Sequence, residues 1–124
     1  MTNEELQILL PLAAKACGRP DQYLSTRGCP TTEQEFAEKG WAIWQPHVDT
    51  GQCAWMNAAL GHNTSWLTRF RDTGPGLLQI TNLVEVCHPY GVAVEVEHNG
   101  TTADKLRAWM EASVRAAAQI GEKK

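Results

Sequence analysis

Apolar positions recur along this chain at two different periods, and the period changes from stretch to stretch. Leu6, Leu9, Leu10, Ala13 and Cys17 fall three or four residues apart, which predicts an amphipathic helix. Thr2, with Glu5 three residues on, reads as its capping box, and Gly18 followed by Pro20 as its stop. Pro11 removes one backbone hydrogen bond from that helix and predicts a kink or break near Leu10. Trp41, Ala42, Ile43 and Trp44 form a short apolar run, which predicts a strand that ends at Pro46 or lies at a sheet edge. Its two tryptophans read as core packing or as an exposed aromatic binding surface. Asp49 or Thr50 then opens a second helix, with Gln52 placed to complete a capping box. Cys53, Met56 and Leu60 share its apolar face, Trp55 and Ala59 flank it, and Gly61 stops it.

Beyond Gly61 the period falls to two. Trp66, Thr68 and Phe70 alternate with Leu67, Arg69 and Arg71, a strand with two chemically different faces. Asp72 to Gly76 is a breaker, and its Gly-Pro-Gly is no phosphate loop, because no Gly-Lys-Ser/Thr follows. Leu83 to His88 and Val92 to His98 flank Pro89-Tyr90-Gly91 and predict a hairpin. Pairing His88 with Val92 sets Val86 against Val94 and Glu85 against Glu95. Opposed carboxylates cost up to about 1 kcal/mol, so they call for an outside partner, and Arg69 and Arg71 are at hand. Thr101 or Thr102 caps a last helix whose buried stripe is Leu106, Trp109, Met110, Ser113, Val114, Ala117 and Ile120. Trp55 and Trp109 both fall on faces assigned to the core. Arg107, Glu111 and Arg115 run down the wet side at i,i+4 spacing. Residues 19–40 are read as a surface insert.

The whole is an α+β fold, a single domain over residues 1–124. It is a three-layer α-β-α-like sandwich with a mainly antiparallel sheet and helices near both termini. Composition changes this picture little. A net charge of −3 is too mild for a nucleic-acid footprint or a DNA mimic. Glu4 and Glu5 stand where a signal peptide would carry Lys or Arg, and no apolar run approaches the ~20 residues of a membrane span. These features predict a cytoplasmic protein with no membrane partner. Cys17, Cys29, Cys53 and Cys87 lack zinc-ligand spacing relative to His47, His62, His88 and His98, so neither metal nor cofactor is expected.

Three stretches, Leu12–Gly18, Trp44–Gly51 with its helix, and Val114–Gly121, resemble a family of small phage and prophage α-β-α sandwich proteins of unknown function. The family's central motif looks like W-N-P-x-x-D-D-G-D; here Gln45, Thr50 and Gln52 replace the Asn and two acidic residues. The resemblance implies the layered architecture and, by itself, no activity. Taken with the small size, the soluble composition and the lack of a catalytic signature, it suggests a phage-encoded accessory that binds a host bacterial protein, for example to inhibit a defence system such as CRISPR interference. No catalytic residues are expected. Glu85, Glu95 and Glu97, with Arg69 and Arg71, are the candidate partner-binding surface, because an acidic edge makes sense where a basic surface meets it. One alternative is a small hydrolase or thiol enzyme using Cys53, which lies near a helix N-terminus and close to His47 and Asp49. Another is a nucleic-acid or ligand binder using Trp66, Phe70, Arg69 and Arg71. Their alternation in face argues against one shared platform.

Overall fold

The computed structural model describes residues 1–18 and 44–124. Within them three helices and three strands follow in the order α1 (Asn3–Ala16), α2 (Thr50–Leu60), β1 (Asn63–Gly74), β2 (Leu77–Cys87), β3 (Ala93–His98) and α3 (Thr102–Glu122). The strands form one antiparallel sheet in the order β1-β2-β3. This is the expected α+β sandwich, with helices near both ends. Its layers run sheet, then α3, then α1 with α2.

The capping chemistry sets most boundaries. Thr2 and Glu5 form the reciprocal box at α1, which then runs as one element through Pro11. At α2 only half of the predicted box forms. Asp49 Oδ1 accepts from Gln52 N at 3.0 Å, but Gln52 Oε1 takes the N–H of Gln45, at 2.7 Å, and Asp49 N donates to Gln45 O. Gly61 ends α2 at a φ of 68°, a left-handed conformation that suits glycine. Of the predicted strand at Trp41–Trp44, residues 41–43 lie outside the described residues, as does the insert at 19–40. Trp44 and Gln45 belong to no strand. Trp44 is instead buried against α1, its indole Nε1 donating to Leu10 O at 3.1 Å. A buried indole N–H needs a partner, and the Leu10 carbonyl supplies it.

Helix α3 carries two apolar faces. Ala108, Ala112 and Ala116, with Trp109 and Ile120 beside them, meet Val84, Val86, Val92, Val94 and Val96 of the sheet. Val114 and Ala117 meet Ala13, Ala14, Leu9 and Leu10 of α1, Trp44, and Met56 and Leu60 of α2. The single stripe read from the sequence is therefore corrected. Leu106 is 40% exposed, and alanines take much of the buried surface because α3 lies between layers on both sides. Close approach shows most clearly at Gly121, where a Cβ would fall on the backbone carbonyl of Leu12. Helices α1 and α3 run parallel. The N-terminal ammonium approaches Glu111, Glu5 accepts from Arg115 at 2.8 Å, and Lys124 Nζ donates to Ala16 O at 2.8 Å.

Candidate functional site

The hairpin register is as the sequence predicts, with Glu85 opposite Glu95 and Val86 opposite Val94. Gly91 makes the turn at a φ of 97°. Arg69 reaches across the sheet and grips Glu95 with both guanidinium nitrogens, Nη1 to Oε2 at 2.9 Å and Nη2 to Oε1. The Cys87 thiol donates to Glu85 Oε1 at 3.0 Å, and that bond, with some burial and the Glu95 charge, raises the thiol pKa. The carboxylate pair thus has partners inside the chain. Glu97 shares the same exposed face, and its backbone carbonyl accepts from Arg107 Nη2 at 3.0 Å. Arg71 pairs in register with Gln79 and stands apart from the acidic hairpin. Of the five candidate residues, the structure gathers Glu85, Glu95 and Arg69, leaves Glu97 alongside, and separates Arg71.

Cys53 sits in the interior. It is fully buried, and burial pushes its thiol up to about 11, outweighing its hydrogen-bonding contacts with Ser113 and Asn57. Proximity to the α2 N-terminus does not activate it. Around it runs a buried polar chain. Asn57 Nδ2 donates to Ser113 Oγ at 2.9 Å, and Ser113 Oγ donates to Trp109 O at 2.7 Å. With its amide nitrogen so used, Asn57 accepts through Oδ1, so His62 Nδ1 at 2.9 Å must be the donor. Among the described residues His62 Nε2 is buried without a hydrogen-bond partner, and burial, followed by the nearby His88, drives this imidazole down to about 4. Among the described residues no three His, Cys, Asp or Glu gather as a metal site, and no helix is long and apolar enough to cross a membrane.

The exposed chemistry lies elsewhere. β3 pairs with β2 only from Asn82 to Cys87, so Arg69 to Thr81 project beyond it as a two-stranded arm. Trp66, at the arm's root, and Phe70, Leu77, Leu78 and Ile80 are all more than half exposed, Phe70 reaching 66%. Phe70 pairs with Ile80, on the face that α3 covers farther along the sheet. Between that pair and α3 lies one polar row across all three strands, Thr68, Asn82 and His98. It floors an open cleft of about 310 Å³, walled by Trp66 and Lys105. The Lys105 ammonium lies 6.0 Å from the Trp66 ring centroid, within cation–π range, and His98 meets the same ring edge-on at 5.7 Å.

Trp66 and Phe70 do share a face that excludes Arg69 and Arg71, as alternation requires. The sequence reading missed Lys105, His98 and Asn82, which come from three separate elements. It also missed the arm. A breaker set between two strand-forming runs, with Leu77, Leu78 and Ile80 just past it, was the available signal. No protein-family model matches the chain, and no curated protein or solved structure does either.

Proposed function

We propose that this protein acts by binding another protein through the β1–β2 arm. One observation carries the reading: five large apolar side chains, Trp66, Phe70, Leu77, Leu78 and Ile80, stand exposed on and beside one projecting ribbon. A two-stranded ribbon is marginal by itself, and clustered exposed apolar surface costs solubility unless a partner covers it. Among the described residues nothing pairs with the outer edge of β1, a template for further strand pairing. The resemblance to phage and prophage proteins makes a host bacterial protein the partner class, and interference with a host defence system the role. The thiol-enzyme alternative loses support, because a fully buried Cys53 with a raised pKa is a poor nucleophile at neutral pH.

The test is capture from bacterial lysate by the wild-type protein and by the double variant Phe70→Ser, Ile80→Ser. A specific protein retained by the first and lost by the second, with identical thermal melts, supports the reading. No specific capture, or equal capture by both, overturns it.

A further inference from the structure

The cleft at the arm's root has a chemistry that the apolar arm does not explain. Among the described residues Lys105 makes no ion pair, although Asp104 beside it is held by Arg107 at 2.7 Å and by Asn99 N at 2.8 Å. His98 Nδ1 accepts from Gly100 N at 3.1 Å, so the neutral ring carries its proton on Nε2 as a donor. Asn82 Oδ1 accepts from Thr68 Oγ1 at 3.3 Å, which leaves the Asn82 amide N–H groups to donate. Three side-chain donors, one of them cationic, therefore meet beside an indole face, and among the described residues no carboxylate lines the cleft.

The backbone contributes little. Gly100 N is committed to His98, Thr101 N to Asn99 and Asp104 N to Thr101. A phosphate, with three oxygens to satisfy, would want such a nest of N–H groups. A carboxylate has two oxygens, matched by Lys105 Nζ together with His98 or Asn82.

We infer that this cleft binds a carboxylate, supplied by an acidic side chain on the partner segment that docks against the arm. The inference rests on the docking reading above and narrows it. The partner's contact segment carries apolar side chains over Phe70 and Ile80 and an Asp or Glu that lands between Trp66 and Lys105. Charge complementarity sets its register, because an apolar ribbon alone would accept many alignments.

A small probe tests the cleft independently of any partner. Isotope-labelled protein is titrated by NMR with 3-phenylpropionate, its neutral amide 3-phenylpropionamide, and inorganic phosphate. The carboxylate should give saturable shifts at the Trp66 indole N–H, the Asn82 side-chain amide and the Gly100 N–H. Losing one charge-assisted hydrogen bond should weaken binding about tenfold, for the amide probe and for Lys105→Gln alike. Lys105→Arg should keep it. Equal binding of amide and carboxylate, equal binding of phosphate, or no shift overturns the carboxylate site. Probe binding combined with partner capture that ignores the arm substitutions overturns the docking reading while keeping the site. Capture that needs the arm without any probe binding does the reverse.

Discussion

Trp109 and Trp55 look alike in the sequence, both aromatic on an apolar helical face, yet they occupy different environments. Trp109 packs under the valines of the sheet and donates through Nε1 to Thr64 Oγ1 at 3.0 Å. Trp55 is 37% exposed and meets Trp44 edge-on at 6.3 Å. Trp109→Ala should therefore cost about 3 kcal/mol, the lower end for a buried aromatic, and Trp55→Ala about 1 kcal/mol. Urea midpoints compare the two, and equal losses would refute the distinction. His62 gives a pH prediction. Its folded pKa of about 4 lies below the 6.5 of an unperturbed histidine, so the unfolded chain binds the proton first. Its contribution is full above pH 6.5 and is lost as pH falls toward 4. Stability should drop by on the order of 2 kcal/mol between pH 7 and pH 4.5 from this group. His62→Gln should flatten that slope in urea melts taken across the window. A variant as steep as wild type would assign the loss to other groups, His47 first among them, since burial lowers its pKa too.

Among the elements, α3 has the tightest steric requirement. Alanine is the better helix former, by about 1 kcal/mol over glycine, and an exposed Gly→Ala change in a helix would stabilise. At Gly121 the added methyl would meet the Leu12 carbonyl and force α1 away. Gly121→Ala should therefore destabilise by about 2 kcal/mol net, as overpacking does, and a raised melting temperature would show that the helices can slide apart. The same helix marks how far the sequence could be read. Its N-cap, the i,i+4 pairing of Arg107, Glu111 and Arg115, and the facing Val86–Val94 and Glu85–Glu95 pairs were legible, because each depends on neighbours a few residues away. The end of α3 was not, because Gly121 looks like a stop and instead lies inside the helix, which Lys123 caps. The second apolar face of α3 was not, because alanine is common on exposed and buried faces alike. The cleft was hidden for a related reason. Lys105, His98, Asn82 and Trp66 are unremarkable singly, and only strand register brings them together. The β1 side of the arm, through Arg71, shows the alternation of a strand, whereas the Leu77–Thr81 part of β2 lacks it and so carries no strand signal of its own.

At the scale of the molecule, the arm and the core should be energetically separate. Phe70 and Ile80 are mostly exposed, so replacing both with serine should leave the urea midpoint within about 0.5 kcal/mol of wild type, as distant surface changes do. A larger drop would mean that the arm is packed within the protein, and the proposed docking surface would fall with it. Among the described elements, and outside the sheet's own ladders, the main contacts between elements all run to α3. That wiring has a temporal side. Helix α1, helix α2 and the sheet are each synthesised before the element that buries them. While α3 is still in the ribosome, Val84, Val86, Val94 and Ala13 have no cover, and the nascent chain carries exposed apolar strands of the kind that chaperones hold. Folding of these elements then has to wait for α3, so nascent chains stalled behind a long C-terminal linker should resist added protease only once α3 has cleared the exit tunnel.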